Sequence, residues 1–444
     1  MNMKNPLNNM KINKIQLLII ICFSFFKTNA QEVLTLEDAV KIALENNYEI
    51  KISKNDLRID QSNVAYGNAG MMPKLTANVV DNNSVQNTSQ TRQDGTVTEL
   101  DNAKNNSLTY GVGLDWTIFD GFKMFAKLDQ LKTLQKLGEA ELKLTIITKI
   151  SDVNATYYDL VQQQQQLAAL DSSIVISNQR VELAQNRYTI GKASKLEVLN
   201  AQVDLNTDTT TLLRQKELYA NTKTLLNQIL ARDVKTEFKV IEQITVDTNL
   251  LLPELQSLAE KQNPILEAQI LNKRVAELQL KQVKGDRYPI LRLNSAYNFS
   301  ESESSLGFVT QSSAKGFNYG FTATLNLFDG FAQNRNEKIA KIQIENSTIA
   351  IEQQTQALAT TLTTSYQTYL TNLELSKLEE KNEAIAKQNL DITLEKFRIG
   401  TIATLEFRTA QLNYINAKVR NSNTQFQAKL SEIALKELAG NLTF

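Results

Sequence analysis

Two segments of the chain alternate apolar and polar residues with a period of two, the pattern of a β-strand with two unlike faces. The first, Leu108 to Ile118, places small or polar side chains between aromatic and aliphatic ones. The second, Phe317 to Leu327, repeats that pattern. Weaker alternation predicts a partner strand ahead of each, with hairpin loops rich in Asn, Ser, Thr and Gly between the strands. The predicted partner strands are Leu75 to about Ser89 and Leu291 to about Ser300.

Each predicted hairpin is followed by a long segment that is almost free of Gly and Pro, the residues that most often interrupt a helix. These segments are residues 122–186 and 331–395. A continuous helix of this size is roughly 100 Å long at about 1.5 Å per residue, which exceeds the diameter of a small domain. In the second segment the apolar spacing of three or four is typical of a coiled coil. The residues that show it are Leu358, Leu362, Tyr366, Tyr369 and Leu373.

Shorter helices are predicted ahead of both hairpins. Thr35 and Asp38 have the spacing of a capping box, which marks the start of the first of them. The helical stretches that follow stop before Pro73 in the first half of the chain and before Pro289 in the second.

The two halves of the chain share their motifs in the same order, which indicates a tandem repeat. The sequence IFDGF at residues 118–122 recurs as LFDGF 209 residues later, and RYTIGKASKLE, starting at Arg187, recurs at the same displacement as KFRIGTIATLE. Asn47 and Pro73 recur at a displacement of 216 as Asn263 and Pro289. The predicted boundaries are a signal peptide at 1–30, repeat 1 at 31–232 with hairpin 74–119 and turn 187–195, a linker at 233–250, and repeat 2 at 251–444 with hairpin 290–328 and turn 396–404.

The faces of the predicted strands bear on where the protein resides. An apolar face of about 10 residues opposite a small, polar face is what a strand needs to cross a bilayer beside a wet lumen. A soluble antiparallel sheet packed on a core is the competing interpretation. Four strands per chain are too few to close a barrel, because the smallest single-chain barrels have about eight. Three copies would supply twelve, so the prediction is a mostly α-helical protein with transmembrane β-strands and a trimeric barrel.

The first thirty residues have the layout of a secretory signal peptide. Four Lys and no acid accompany an apolar run from Ile15 to Phe26, and Ala30 precedes the expected start of the mature chain at Gln31. Cys22 lies inside the apolar run, and its lipidation remains an alternative.

Composition excludes much chemistry. The chain has no His and a single Cys, so imidazole catalysis, intrachain disulfides and thiolate metal clusters are ruled out. Its formal net charge is zero, without blocks of basic residues, which argues against a nucleic-acid partner. The sequence therefore predicts a non-enzyme without a cofactor or bound metal.

These motifs together resemble the TolC family of outer-membrane efflux proteins. The resemblance rests on the signal peptide, the duplication, the paired FDGF motifs, and the pattern that begins at Tyr188-x-x-Gly191 and continues through Ala201-Gln202. It covers essentially all of residues 31–444.

The resemblance implies a homotrimer in the outer membrane of a Gram-negative bacterium. Its twelve-stranded β-barrel, in contact with lipid, would continue into a long periplasmic α-helical barrel. The implied role is the exit duct of a tripartite efflux or type I secretion system, a passive conduit opened by a periplasmic adaptor and an inner-membrane pump. The implied docking tips are the helix-to-helix turns with Tyr188, Gly191, Phe397 and Gly400, where glycine is expected at positive φ and the aromatic residues are expected to pack the turn.

Acidic residues just after each turn suggest a gate. Glu197, Asn200 and Asp204 share one helical face by spacing, and Glu406 and Thr409 begin the corresponding face in repeat 2. In the family, the positions that match Glu197 and Glu406 lie near the lumen, where threefold symmetry would form rings of carboxylates. A solvated helix surface is the alternative. The chain has Ile402 where the best-studied member has an Arg that belongs to a polar latch, so other contacts are expected to hold the closed state.

Two other functional classes remain open at this point. A secreted coiled-coil structural or adhesion protein would account for the helices but not for the strands with aromatic faces. An enzyme or metal-binding protein conflicts with the absence of His and of a spaced carboxylate cluster. The sequence does not identify the cargo, the pump or the adaptor.

Overall fold

The computed structural model of the protein describes residues 32–241, 243–305 and 309–442. The predicted signal peptide, with Cys22, lies outside these residues. Within them the chain forms eight helices and six strands. In chain order these are β1 (Glu32–Leu34), α1 (Leu36–Asn46), α2 (Tyr48–Asn63), β2 (Lys74–Thr91), β3 (Val97–Phe119), α3 (Lys123–Thr189), α4 (Lys195–Ile229), β4 (Phe238–Val240), α5 (Leu252–Gln262), α6 (Pro264–Gly285), β5 (Ile290–Ser304), β6 (Gln311–Thr324), α7 (Ala332–Arg398) and α8 (Thr404–Leu438).

The chain divides into two compact units, which are described in turn. The first contains Asp152–Val246, Leu375–Lys429 and the described residues up to Glu45. The second contains Asn46–Ser151, Asp247–Glu374 and the described residues from Leu430 onward.

The second unit holds a four-stranded antiparallel sheet in the order β2-β3-β5-β6. Tyr110 lies opposite Phe299, and Val112 lies opposite Tyr297, so apolar side chains of neighbouring strands share one face. The rings of Tyr110 and Phe299 stack with centroids 5.0 Å apart. Both predicted hairpins are therefore present, and each has one apolar and one polar face.

The strands of the first hairpin extend beyond their predicted ends. Strand β3 begins at Val97, whereas alternation predicted a start at Leu108. The additional rows carry Asn, Ser and Thr on both faces, so no period marks them. The backbone ladder and side-chain bonds hold this part instead, including one from the Asn102 N–H to Asn87 Oδ1 at 2.8 Å.

Strand β6 ends earlier than predicted, at Thr324 rather than Leu327. Its last partner is Ile290, and the residue before Ile290 is Pro289. Proline has no N–H to donate, so the ladder with β5 stops there.

The two FDGF motifs form the same turn between the sheet and a long helix. The Asp120 carboxylate accepts the N–H of Met124 at 3.2 Å, and Asp329 accepts that of Gln333 at 2.8 Å. Asp thus caps the first turn of α3 and of α7. The residues after Asp have positive φ in both repeats: Gly121 at 71°, Phe122 at 67°, Gly330 at 65° and Phe331 at 64°.

Corresponding asparagines start the helices that precede each hairpin. Asn47 Oδ1 accepts the N–H groups of Glu49 and Ile50, which caps α2. Asn263 Oδ1 accepts those of Ile265 and Leu266, which caps α6. The tandem repeat therefore extends to individual hydrogen bonds.

The first unit contains a strand pair that the sequence did not predict. Strand β1 pairs in parallel with β4, which falls in the segment interpreted as a linker. Tyr157 on α3 fastens this pair, because its hydroxyl donates to the Leu34 carbonyl at 3.0 Å and accepts the N–H of Ile241 at 3.2 Å. Three-residue strands are too short for period-two alternation to show.

The long helices match the sequence prediction closely. Helices α3 and α7 have 67 residues each, and the return helices α4 and α8 have 35 each. In the first unit their apolar contacts form small clusters, one of which joins Leu390 and Phe397 of α7 to Phe407 of α8.

Candidate functional site

The turns between the long helices and their return helices have the same backbone structure in both repeats. The N–H of Lys192 bonds to the Arg187 carbonyl at 2.7 Å, and that of Thr401 bonds to the Lys396 carbonyl at 3.0 Å. These bonds close a Schellman motif, which requires a left-handed residue one position earlier. Gly191 and Gly400 occupy those positions, with φ of 75° and 81°. The predicted left-handed glycine turns are confirmed.

The return helix of repeat 1 starts with a side-chain cap. Ser194 Oγ accepts the N–H of Glu197 at 3.3 Å, and Glu197 is the third residue of α4, as in a capping box. The negative charge of Glu197 stabilises the helix start as well, because an acid in the first turn interacts favourably with the helix dipole.

The two aromatic residues at the turns differ in exposure. Phe397 is only 3% exposed and stacks on Phe407 with ring centroids 4.8 Å apart. Tyr188 is 41% exposed, and the ammonium of Lys195 lies 5.4 Å from its ring centroid. Phe397 therefore packs the turn and offers no surface to a partner, whereas Tyr188 is accessible.

Three of the five predicted gate residues line one groove. Glu197, Asn200 and Asp204 border a cleft of about 450 Å³ together with residues of α8. Across the cleft, the Thr404 hydroxyl donates to Glu197 Oε1 at 2.7 Å. Arg187 Nη1 lies 3.5 Å from the same oxygen, so Glu197 is held from two sides.

The other two predicted gate residues lie apart from this groove. Glu406 and Thr409 are exposed on α8, and the Thr409 hydroxyl bonds to the Leu405 carbonyl of its own helix at 3.0 Å. The two predicted acidic faces thus lie in different environments. The face of repeat 1 bonds to a neighbouring helix, whereas the face of repeat 2 is exposed.

A buried ionic network lies next to the groove. Arg408 of α8 donates to both carboxylate oxygens of Asp208 on α4, each at 2.7 Å. Arg180 of α3 is 1% exposed and donates to Asp204 on α4. Arg408 Nε also lies 3.8 Å from Asp204. Two guanidinium groups and two carboxylates from three helices thereby balance in charge.

Neutral side chains complete the coordination of this network. The Ser177 hydroxyl donates to Asp208 at 2.6 Å, and the Gln411 amide donates to Ser177 and to Ser173, each at 3.0 Å. Buried charges need such additional partners, because ion pairing alone does not replace the water they lose.

The two arginines respond differently to burial. Burial disfavours the charged form of both. In Arg180 this effect dominates over the attraction of Asp204, and the pKa is lowered. In Arg408 the hydrogen bonds that it donates to Asp208, together with the negative charges of Asp208 and Asp204, outweigh burial, and the pKa is raised. Two nitrogens of Arg180, Nε and Nη1, have no hydrogen-bond partner among the described residues. The Arg408–Asp208 pair is therefore the well-satisfied half of the network.

Sequence reasoning missed most of this network. It selected Asp204, but not Arg180, Asp208 or Arg408. A signal was present in the spacing of polar residues, since Asp204 and Asp208 are four apart on a helix that is otherwise rich in Thr and Leu. The spacing does not reveal which distant arginine faces them.

Two structural features are absent from the described residues. No group of three or more His, Cys, Asp or Glu there has the arrangement of a metal site. Among the same residues, no helix is both long and apolar enough to cross a membrane.

Taken together, the fold and the site define a class of protein. It is a duplicated chain that combines one four-stranded sheet, apolar on one face, with two long helical hairpins that end in glycine turns. The family described as outer membrane efflux protein matches residues 39–232 and 255–441 of this sequence. The chain belongs to this family, and the resemblance inferred from the motifs is confirmed.

The chain is also similar to individual known outer-membrane proteins in sequence and in structure. The outer membrane efflux protein BepC of Brucella suis biovar 1 (strain 1330) is 23% identical over 173 residues, which are 39% of this chain and 35% of BepC. The matched part thus spans about a third of that relative's length. The CmeC outer membrane channel of Campylobacter jejuni superposes with a TM-score of 0.77 at 17% identity, covering 91% of this chain and 85% of CmeC. The outer membrane protein VceC of Vibrio cholerae gives 0.73 at 16% identity, covering 91% and 96%. At such identities the structures support the fold alone.

Proposed function

We propose that the protein is the outer-membrane exit duct of a tripartite efflux or type I secretion system. It would act as a passive conduit for cargo delivered by an inner-membrane pump through a periplasmic adaptor. The observation that carries this proposal is the two-faced sheet of an efflux-family chain, whose edge strands β2 and β6 have no second partner strand among the described residues. A conduit takes its cargo from the pump, so no catalytic residue is assigned.

The apolar face of the sheet has the dimensions of a membrane band. From Leu108 to Ile118 it covers ten steps of about 3.3 Å, and a strand tilted by about 40° would span about 25 Å of bilayer. Each repeat, 31–232 and 251–444, contributes one hairpin. Three copies would then close a twelve-stranded barrel against outer-membrane lipid, with residues 92–96, 305 and 309–310 on the outside.

The secreted coiled-coil alternative leaves this face unexplained. Val79, Tyr319 and Phe321 are 73–76% exposed in the single chain. Monomeric soluble proteins rarely expose contiguous apolar patches of this kind. Contact with lipid would cover these apolar side chains. Their exposure therefore supports the membrane proposal over the adhesion protein.

The helical hairpins would stand in the periplasm and present their turns to the adaptor. The proposed docking surface consists of the Gly191 and Gly400 turns with exposed Tyr188, while Phe397 supports the second turn from inside. The proposed gate relies on Glu406 and Thr409, which are exposed, and on Glu197 and Asn200 in the adjoining groove. Asp204 is neutralised by Arg180 and Arg408, so it serves the packing of the gate rather than its charge.

The proposal is tested by the placement of single cysteines in a deletion strain, scored for labelling and for export. Gln93→Cys and Thr310→Cys lie in the hairpin loops and should react with a membrane-impermeant maleimide on intact cells. The control Lys192→Cys, at the first turn, should react only after the outer membrane is permeabilised. The wild-type gene should lower the susceptibility of the strain to at least one class of toxic compound or restore secretion of a polypeptide. Labelling of Lys192→Cys on intact cells, or of the loops only after permeabilisation, would overturn the topology.

A further inference from the structure

The polar face of the four-stranded sheet carries charged side chains at one end only. Strand register assigns three of them to this face: Lys74 lies opposite Asp115, and Arg292 lies opposite Thr117. These rows alternate with the apolar row of Leu114, so the three side chains belong to the other side of the sheet. Lys74 is the first residue of β2, and Arg292 is the third residue of β5. The charges are therefore confined to the end of the sheet that adjoins the helices.

The rest of the polar face is neutral. Within residues 74–84, 105–117, 290–304 and 311–324 it otherwise consists of Asn, Ser, Thr, Gly and Ala, with Val80 and Ile290. The other charged residues of these ranges belong to the apolar face, by the same register, and lie beyond or among its aromatic rows. They are Asp81, Glu301, Glu303 and Lys315. A single charged band thus borders a neutral polar surface.

The duplicated fold does not require this band. By the displacements of 216 and 209 residues, the equivalents of Lys74, Asp115 and Arg292 in the other repeat are Ile290, Thr324 and Thr76. All three equivalents are uncharged. Ile290 lies opposite Thr324 as Lys74 lies opposite Asp115, so the second hairpin forms the same ladder without an ion pair. The charges of the first hairpin and of β5 are therefore additions to a framework that is complete without them.

The band has an excess of positive charge. Lys74 and Asp115 face each other across two strands, where opposite charges offset one another. Arg292 has a neutral residue directly opposite on each side, Thr117 on β3 and Thr322 on β6. Two cations and one carboxylate leave one positive charge per chain, and Arg292 is the residue that supplies it.

The polar face is open beside the band. Asp115 lines a hollow of about 480 Å³ together with Gly113, Asn294 and Thr322. The Asn294 amide donates to the Thr322 hydroxyl at 3.2 Å, so polar groups of neighbouring strands bond to each other along this wall. Small and neutral neighbours leave the charged side chains in contact with solvent, where they can act on passing ions.

We propose that Lys74, Asp115 and Arg292 form an anion-favouring band inside the pore and select for cargo that carries carboxylate or phosphate groups. The inference rests on the proposed function, which places the polar face in the lumen of a barrel of three copies. Three copies would set six cations and three carboxylates around one axis. Rings of Lys and Arg favour anions in narrow pores, because they attract anions and repel cations at close range.

The band is opposite in sign to the proposed gate at Glu406. The ion selectivity of the whole pore contains both contributions, so each variant of the band is compared with the wild type, in which the gate is the same. The salt concentration is kept at or below about 0.1 M, where the Debye length is about 10 Å and fixed charges are not fully screened.

Reversal potentials in planar bilayers with a potassium chloride gradient test the sign of the band. Arg292→Gln should lower the permeability ratio of chloride to potassium by about twofold, and Asp115→Asn should raise it by a similar factor. Lys315→Gln is the matched control, because it removes the same charge as Arg292→Gln from the opposite face of the same sheet. Its permeability ratio should equal that of the wild type.

Single cysteines test the face directly, because the expected mature chain has no cysteine of its own. A hydrophilic, negatively charged methanethiosulfonate reagent converts a cysteine into an anionic side chain. In the open pore, the reagent should lower the chloride preference of Lys74→Cys further. It should leave the current through Lys315→Cys unchanged.

Opposite shifts in Arg292→Gln and Asp115→Asn would support the band. Shifts in the same direction, or none, would overturn it, since a general disturbance of the barrel does not follow the sign of the charge removed. An effect of Lys315→Gln as large as that of Arg292→Gln would overturn the assignment of the faces. Arg292→Thr and Asp115→Thr copy neutral residues of the other repeat, and they replace any Gln or Asn variant that does not assemble.

Export in a deletion strain separates this inference from the proposed function. Opposite shifts in a protein that exports nothing would refute the exit duct and leave the charged band standing. Restored export together with an unchanged permeability ratio in both variants would refute the band and leave the duct standing.

Discussion

The guanidinium of Arg408 donates two hydrogen bonds of 2.7 Å to the two carboxylate oxygens of Asp208, and both side chains are at most 10% exposed. Arg408 belongs to the return helix of repeat 2 and Asp208 to that of repeat 1. One bidentate, desolvated ion pair thus ties the two helical hairpins together close to their turns. Such a pair contributes little net stability compared with apolar residues of the same shape, but it is costly to break from one side.

Arg408→Ala should loosen the contact between α8 and α4. The substitution leaves Asp208 buried without its main partner, which typically costs about 3 to 5 kcal/mol. Hydrogen exchange of the purified protein, followed by mass spectrometry, should show faster exchange in peptides that cover residues 404–420. Arg408→Met with Asp208→Leu removes both charges and should exchange at nearly the wild-type rate. If that double variant were as loose as Arg408→Ala, the packing of the long side chain, and not the unpaired charge, would be responsible.

Local patterns in the sequence predicted the elements, and they did so because the deciding interactions are local. Period-two alternation identified the apolar rows of β3, and the glycine at each turn follows from the need for positive φ after a helix. The part of β3 that precedes Leu108 carries Asn, Ser and Thr on both faces of the strand. It therefore shows no period-two alternation, and the sequence could not predict it.

The buried network could not be predicted in the same way. Arg408 and Asp208 are 200 residues apart, and their contact depends on how α8 and α4 are rotated about their axes. Polar residues on long helices that are rich in Asn, Gln and Thr look alike in sequence, whether they face solvent or another helix. Glu197 and Glu406 are equivalent in the tandem repeat, yet one is bonded across a groove and the other is exposed.

Acid should weaken the pairing of α7 with α8 through Glu383. Lys418 and Asn421 donate to its carboxylate at 2.8 and 2.6 Å. Burial alone would raise the pKa of Glu383, but these bonds and the positive charges of Lys418 and Lys387 together outweigh burial and hold the pKa below the ordinary value of 4.5. Because the folded-state pKa is the lower one, this stabilisation is present above pH 4.5 and is lost as pH falls through the lowered pKa.

The check is the rate of proteolytic cleavage between residues 375 and 425, measured with an acid-active protease as pH is lowered below 4.5. The wild-type rate should rise more steeply than that of Glu383→Gln, which keeps the shape but does not titrate. Lys418, whose pKa is raised by the hydrogen bond with Glu383 against the effect of burial, would lose its charge only above its ordinary value of 10.5, outside this range. If the cleavage rates of the wild type and of Glu383→Gln changed identically with pH, titration of Glu383 would not be the cause of the loosening.

Glu406 should favour cations at the proposed gate. It is exposed on α8, and three copies around an axis would concentrate negative charge in the lumen. In planar bilayers with a salt gradient, Glu406→Gln should shift the reversal potential toward weaker cation preference. Glu217→Gln removes an exposed acid of α4 far along the chain from the turns and serves as the control. If the reversal potential of Glu406→Gln were unchanged, the Glu406 carboxylate would lie on an outer, solvated surface and not in the lumen.

The turn glycines should matter for docking and not for assembly. Gly191 and Gly400 have positive φ and open space around them, so a Val at either position would meet no neighbour but would carry a backbone penalty of about 1 to 2 kcal/mol. That penalty is relieved by a change in the turn, which redirects the start of the return helix. Gly191→Val with Gly400→Val should therefore give a heat-modifiable trimer at normal abundance that does not restore export in a deletion strain.

The control replaces the same glycines by Asn, which tolerates the left-handed region better than other side chains. Gly191→Asn with Gly400→Asn keeps the turn while adding bulk and should retain much of the export. Failure of both double variants with intact trimers would show that the adaptor requires the bare backbone of glycine, and loss of the trimer would show that these turns serve folding instead.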